Sequence, residues 1–513
     1  MPHALRNRWA AACLAVSALC VIGVSAQTSP GSVARQWRMQ HERAILDEFT
    51  AFLSLPNVTS DRNGIARNAA ALAEMMGRRG MTPQLLSVPG SNPVVFGELT
   101  TGATTTIVFY AHYDGQPVEP KEWAAPPFSP ALRSRAVDQG GQAVTPALAG
   151  QALDPETRIY ARSAADDKGQ ILALLTALDA LKAAGLPLRA NLKFVFDGEE
   201  EAGSPNLERI IVANRHLLSG TVWLICDGSQ YPGNRPVVTF GARGFVGADI
   251  TVYGARRELH SGNFGNWAPN PALALARLLA SLKDDNGRIL INGFYDGIVP
   301  LTAAEQQALR DVPPTERELM HDLLLGASEG APATLNERLA LPSINIRGLA
   351  SARVGAQAAS IIPSTATASI DMRLVKGMDH RQTARQLIDH ARRQSFFIVD
   401  GEPAADVLRT HPRVARISFG TGGNAFRTSM QLPVAQAVIR AIEDTRGPVI
   451  KLPTMGGSLP VAFIESTLST HLINIHMSNP DSNNHSSNEN LRLQNLWDGI
   501  EQAAGLLLLD VRP

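Results

Sequence analysis

Residues 192–201 read LKFVFDGEEE, an apolar run of β-forming side chains that breaks, past a single glycine, into three consecutive carboxylates. The same construction occurs twice more. Thr106-Ile-Val-Phe-Tyr-Ala111 runs into His112-Tyr-Asp114, and Thr221-Val-Trp-Leu-Ile225 runs into Cys226-Asp227. Between the first two of these runs in chain order, residues 170–184 (QILALLTALDALKAA) carry apolar positions at helical spacing and stop at Gly185. Short continuous apolar strands alternating with helices predict a largely parallel sheet covered on both faces. In such sheets the carboxyl ends of the strands line the ligand crevice. Three strands that deliver acids and an imidazole at their ends therefore point to one polar site.

Working outward, residues 38–54 and 66–80 show helical spacing upstream of the first strand. Beyond Gly241 the pattern changes to strand 243–253, helix 270–283, strand 342–349, strand 361–375, helix 380–394 and strand 412–420. That order, βαββαβ, is the ferredoxin-like arrangement of a small separate unit. After about residue 435 the α/β pattern returns, with a helix over 490–508. The predicted architecture is an α/β catalytic domain with a mainly parallel sheet, made of residues 28–238 and 436–513. It is interrupted by an inserted ferredoxin-like lid domain over 239–435, with Pro232, Pro236 and Pro433 near the hinges.

Composition narrows the function. The 513 residues hold 47 Lys+Arg against 47 Asp+Glu, with no basic block, which argues against a nucleic-acid partner or an anionic membrane surface. Arg6 and Arg8 precede an almost uncharged apolar run from Trp9 to Val24, and Val24-Ser25-Ala26 supplies small residues for cleavage. Residues 1–26 thus have the layout of a secretory signal peptide, too short for a bilayer span. The expected location is periplasmic or secreted, with no stable membrane association once the signal is removed. Cleavage takes Cys13 and Cys20 away and leaves Cys226, so no disulfide can form within one mature chain.

Five short segments bear on the chemistry: His112-x-Asp114, Asp166-Asp167-Lys-Gly, Glu199-Glu200-Glu201, Asp227, and His485 within Asn484-His-Ser-Ser-Asn-Glu489. Singly each has a plainer reading: a structural strand-end HxD, a solvated acidic turn, a helix cap. Gathered at one sheet end in a neutral chain, they would be costly without a cation. Carboxylates with imidazole and no thiolate suit Zn2+, with Co2+ or Mn2+ also accommodated. Five ligands are too many for one open zinc and fit two divalent ions sharing a bridge. Asp114 faces the same side of its strand as His112 and can orient that imidazole. His41-Glu42 lacks a second histidine at position 45, so no zincin helix is present.

Here the chain resembles the dinuclear-zinc amidohydrolases that include carnosinase-type dipeptidases, aminoacylase and the glutamate-releasing carboxypeptidases. The resemblance rests on YAHYDGQPVEPKEW (110–123), SAADDKGQ (163–170), FDGEEEAGS (196–204), CDGS (226–229), LHSGNFG (259–265), IIPSTATASIDMRLV (361–375), GGSLP (456–460) and HSSNENL (485–491). QPVEPKEW and NGFYDGIVP (292–300) are more similar to the dipeptidase branch. The resemblance implies one ion on His112 and Asp227, a second on Glu201 and His485, and Asp166 bridging them. It also implies Glu200 as general base, Asp114 behind His112, and His260 stabilising the oxyanion from the other subunit of a homodimer. Arg373, Gly457 and Ser458 would hold a substrate carboxylate. The implied reaction is hydrolysis of a dipeptide or short peptide with a free C-terminus. Two alternatives stay open: an N-acyl-amino-acid deacylase on the same site, and an exported peptide-binding protein without catalysis. Three departures stand out: Ala161-Arg162-Ser163 occupies the place of a usual Gly-Arg-Gly, Gly115 replaces a usual aliphatic residue, and residues 479–484 (NPDSNN), before His485, lack the usual glycines.

Overall fold

The computed structural model describes residues 29–145 and 153–511, so the signal-like segment with Cys13 and Cys20 lies outside the described residues. Six strands of the first sheet come early: β1 (Gln84–Leu86), β2 (Val94–Leu99), β3 (Thr106–His112), β4 (Asn191–Asp197), β5 (Val222–Cys226) and β6 (Val237–Thr239). Five more build a second sheet: β7 (Gly244–Tyr253), β8 (Ser343–Ala350), β9 (Thr365–Leu374), β10 (Phe397–Val399) and β11 (Val414–Gly423). The chain then returns to the first sheet with β12 (Ile450–Leu452) and β13 (His471–Ile475).

The first sheet has the order β1-β2-β4-β3-β5-β13-β6-β12. It is mixed. Its centre, β4-β3-β5-β13, is parallel, as the apolar runs predict. Its flanks depart from that expectation: β2 lies antiparallel to β4, and β6 antiparallel to β13. The centre is apolar on both faces because helices cover both. Lys168–Ala183, Pro30–Leu53 and Leu493–Leu507 close one side, where Phe109 and Phe194 stack at 5.4 Å between centroids. The short helices Leu207–Ala213 and Phe463–Leu468 close the other, over Val108, Trp223 and Ile225. Each fully buried Phe or Leu contributes about 1.5–3 kcal/mol to this packing. Lys168–Ala183 is buried nearly all round because it lies between the sheet and Leu493–Leu507. Its Lys168 is the exception in chemistry, and it survives burial by donating Nζ–H to the carbonyls of Phe52 and Leu55 at 2.9 and 3.1 Å.

The second sheet, β8-β9-β7-β11-β10, pairs antiparallel from β8 to β11, with short β10 parallel to β11 at the edge. Burial alternates strictly along β7 and β9, the period-two signature of a sheet with one wet face. The dry face carries Pro271–Ala280 and His380–Arg393. The expected strand 361–375 is two strands split at Pro363, and Ile361–Ile362 pairs instead with Leu259–His260. Residues 284–342 hold three unanticipated helices, Ala303–Arg310, Glu316–Asp322 and Leu335–Leu339. The first and third start with capping boxes, Thr302/Glu305 and Thr334/Glu337. Helix Pro433–Arg446 packs its Val434, Ala435 and Val438 into the first core, so position 436 falls within that helix. Among the described residues no helix is long and apolar enough to cross a membrane.

Candidate metal centre

The centre sits at the carboxyl ends of β3, β4 and β5. His112 is the last residue of β3, the Glu200–Ala202 turn follows β4, and Asp227 follows β5. Two further segments reach this edge through a small three-stranded sheet in which Arg158–Tyr160 pairs with Asn490–Arg492. One side of that pairing leads into Ser163–Asp166, and the other follows the loop that carries His485.

Asp166 is the pivot. Its Oδ1 lies 2.8 Å from His112 Nε2, and its Oδ2 lies 3.1 Å from His485 Nε2. Asp227 Oδ2 is 4.0 Å from His112 Nε2, and Glu201 Oε2 is 3.2 Å from His485 Nε2. The structure thus forms two trios, His112–Asp166–Asp227 and Asp166–Glu201–His485, with ligand atoms of each trio within 4.8 Å of one another. Asp166 belongs to both.

Asp114 ties the two trios together from behind. Its Oδ1 is 3.4 Å from His112 Nδ1 and accepts the Glu200 N–H at 3.1 Å. Its Oδ2 accepts the Glu201 N–H at 3.1 Å and the Thr59 hydroxyl at 2.7 Å. One buried carboxylate therefore orients an imidazole and fixes the turn that carries Glu200 and Glu201. Gln116 Nε2–H donates to Glu201 Oε2 at 2.8 Å. Thr59 and Gln116 escaped the sequence reading because neutral side chains far along the chain leave no motif; Gln116 does lie in the QPVEPKEW extension.

The charge balance shows what the site lacks. No Lys or Arg pairs with Asp166, Glu201 or Asp227 among the described residues; only the two histidines do. Burial and then Asp166 push Asp227 up to about 6, and the same two causes push Glu201 up to about 7. Burial, with Asp227, Glu201 and Asp166 adding to it, also raises Glu200 well above the usual carboxylate range. The hydrogen bond to Asp166 lifts His485 to about 9. Burial opposes ionisation of Asp166, but the hydrogen bonds to His112 and His485 outweigh it and hold the carboxyl below the usual range. Acids this crowded hold protons unless cations take their place. Two imidazoles and three carboxylates, without a thiolate, suit divalent zinc-like ions, so the residues present fit the group.

The other expected residues lie apart from this cluster. Arg373 on β9 donates Nε–H to Asp371 Oδ2 at 2.9 Å and Nη1–H to Ser458 Oγ at 2.8 Å. The structure thereby joins Arg373 to the 456–458 loop, where Gly457 O accepts the Arg243 N–H at 3.1 Å. His260 stands on the second unit, exposed, its Nδ1 accepting from Gly262 N–H at 3.1 Å. It shares no hydrogen bond or ion pair with the trios among the described residues.

Two of the departures in sequence, at 115 and 163, explain each other. Ser163 holds φ at +64°, a conformation that favours glycine, and its hydroxyl accepts from Asn57 Nδ2–H at 2.9 Å. A Cβ on Gly115 would come within 2.4 Å of that hydroxyl. Ser163 has taken the space that an aliphatic side chain at 115 would fill.

Comparison with known proteins places the chain in a family. The profile of peptidase family M20/M25/M40 matches residues 108–508. The Cys-Gly metallodipeptidase dug1 of Schizosaccharomyces pombe is 26% identical over 418 residues, covering 80% of this chain and 81% of that one. The human Beta-Ala-His dipeptidase is 26% identical over 539 residues, covering 98% of each. Among solved structures, the M20 family metallo-carboxypeptidase Sso-CP2 from Sulfolobus solfataricus superposes with a TM-score of 0.73 at 27% identity, over 91% of this chain and 98% of that one. Human carnosine dipeptidase 1 shares the fold, with a TM-score of 0.69 at 23% identity over 93% and 98% of the two chains.

Proposed function

The chain belongs to peptidase family M20/M25/M40, and from that premise we propose that it is an exported dinuclear metallo-dipeptidase that hydrolyses dipeptides or short peptides with a free C-terminal carboxylate. The observation that carries the proposal is Asp166, whose two oxygens face two different histidines in two different donor trios. His112 and Asp227 would hold one divalent ion, Glu201 and His485 the other, with Asp166 shared. Bound there, such ions supply Lewis-acid polarisation and lower the pKa of water, Zn2+ being the first choice.

The chain's own residues do the rest. Glu200, half-buried beside the trios, takes the proton of the attacking water on its carboxylate and passes it to the leaving amine. Asp114 keeps Glu200 in place through the main-chain N–H and keeps His112 in one orientation. Arg373, already bonded to Ser458, offers a guanidinium fork to the substrate carboxylate. Relatives at 26% identity that bear dipeptidase names support this substrate class. The second unit is read as an inserted ferredoxin-like lid and dimerisation domain. Supporting a homodimer, β8 is an edge strand that exposes Ile346 and Leu349, and His260 lies on the same unit, where a second copy would have to bring it to a centre. Export rests on residues 1–26.

The test is metal analysis with a panel of Cys-Gly, β-Ala-His, other dipeptides and N-acetyl-amino acids, on the parent and on Glu200→Gln. The parent is expected to hold two ions per chain and to favour dipeptides. Glu200→Gln keeps its ions and loses about 10²- to 10⁴-fold in rate. A Glu200→Gln variant that keeps its ions and turns over at the parental rate removes the assigned base. A metal-loaded parent that hydrolyses no dipeptide removes the function.

A further inference from the structure

Glu489 is fully buried, and its carboxylate is spent on main-chain N–H groups and on Arg162 rather than on any ligand side chain of the centre. Oε1 accepts the N–H groups of Ala165 and Asp166, both at 2.9 Å. Oε2 accepts the Ser163 N–H at 2.8 Å and Arg162 Nη1–H at 2.9 Å. Arg162 is itself buried, with its guanidinium 5.0 Å from the centre of the Trp123 ring. The main-chain oxygen of Glu489 accepts the Ala161 N–H at 3.2 Å, continuing the pairing of Asn490 with Tyr160. Three main-chain donors of the loop that ends in Asp166, those of Ser163, Ala165 and Asp166, thus close on one side chain from the segment that carries His485.

We propose that Glu489 is a positioning residue for the metal centre: by clasping the 163–166 main chain it sets Asp166 between the two histidines and locks the His485 segment to the same loop. This rests on the two-ion reading of the trios. The Ser163 conformation makes the clasp necessary. A non-glycine residue with positive φ stays there only if its surroundings hold it, and three charge-assisted hydrogen bonds from the N–H groups of Ser163, Ala165 and Asp166 do so. A glutamine keeps one of the two oxygens and turns an NH2 group toward N–H donors. An aspartate keeps the charge but falls one methylene short of the loop.

The experiment is Zn2+ binding by metal-free protein, in competition with a chromophoric chelator, at a temperature where circular dichroism shows every variant folded. The parent, Glu489→Gln, Glu489→Asp and Arg162→Met are compared. The parent is expected to bind two ions. Both Glu489 variants are expected to bind Zn2+ about 10- to 100-fold more weakly, the usual effect of removing a group that orients a ligand. Arg162→Met keeps all three main-chain bonds and stays within about threefold of the parent, since ligand orientation and not net charge sets the affinity. Parental affinity in both Glu489 variants overturns the proposal. So does an Arg162→Met loss as large as that of Glu489→Gln, which would make the ion pair the active element. Failure of both Glu489 variants to fold overturns it as well, by making the residue part of the fold alone. A parent that binds no Zn2+ defeats the two-ion reading itself, and that result is distinct from all of these.

Discussion

The mutual fit of Gly115 and Ser163 can be tested by exchanging both. Gly115→Val alone places a Cβ 2.4 Å from the Ser163 hydroxyl and 3.2 Å from Asn57 Nδ2, inside a packed pocket. Overpacking of that kind costs about 1–3 kcal/mol. Expelling the hydroxyl also breaks its hydrogen bond with Asn57, worth about 1 kcal/mol. Ser163→Gly alone gives up that bond but relieves a positive φ that costs a non-glycine residue about 1–3 kcal/mol, so its net effect is small. In the double variant the new side chain meets no hydroxyl, and most of the Gly115→Val loss is recovered. The coupling between the two sites is expected to be about 1–3 kcal/mol in favour of the pair. Calorimetric melting at a fixed scan rate reads it through the order of transition temperatures: Gly115→Val lowest, the double variant close to the parent. Additive effects, with the double variant no better than Gly115→Val, would refute the argument that Ser163 occupies the aliphatic position.

Three further outcomes follow from the site and its surroundings. Zn2+ binding to metal-free protein should release more protons at pH 6 than at pH 8, because Glu201 near 7 and Asp227 near 6 hold protons only at the lower pH; titration calorimetry in buffers of different ionisation enthalpy measures this. His476, buried and bonded to Thr239 Oγ1 at 2.8 Å, is pushed down by burial to about 4. The folded state therefore binds its proton less readily than the unfolded chain does. The resulting contribution of about 3 kcal/mol is full above pH 6.5 and is lost as pH falls toward 4. His476→Asn should flatten the melting temperature against pH in that window, and an unchanged slope would contradict the assignment. Arg373→Met should raise KM for dipeptides about 10- to 100-fold with a smaller change in kcat, as expected when a hydrogen bond to a charged group is lost. Dipeptide amides, which lack the carboxylate, should show little difference between the two enzymes.

What could be read from the chain divides along physical lines. The strand-to-acid junctions at 112, 197–201 and 227 were legible because a buried parallel strand needs a continuous apolar run and its polar terminus stands out against it. The helix Lys168–Ala183 was legible through the helical spacing of its apolar positions. The antiparallel flanks of the first sheet were not: β6 and β12 are three residues each and carry no period, and β2, buried over Val94–Gly97, reads like a parallel strand. The break at Pro363 was available in principle, as proline cannot donate to a ladder, and the helices at 303–310 and 335–339 announced themselves only through T-x-x-E. The five metal-ligand candidates showed as titratable side chains in short motifs, and the structure brings all five together. The hydrogen bonds that arrange them did not show. Thr59, Gln116 and Glu489 act across 55, 85 and more than 320 residues of chain, and the partners of Glu489 are mostly main-chain N–H groups, which every residue but proline possesses.

The pairing of Asn490–Arg492 with Arg158–Tyr160 has a consequence for biogenesis. Synthesis delivers His112, Asp166, Glu201 and Asp227 early and His485 only 258 positions after Asp227, a delay of roughly 13–50 s at ordinary elongation rates. During that interval the chain holds the three carboxylates of the donor trios but only one of their two imidazoles. The second donor trio, which needs His485, is therefore completed by the last strand to be made.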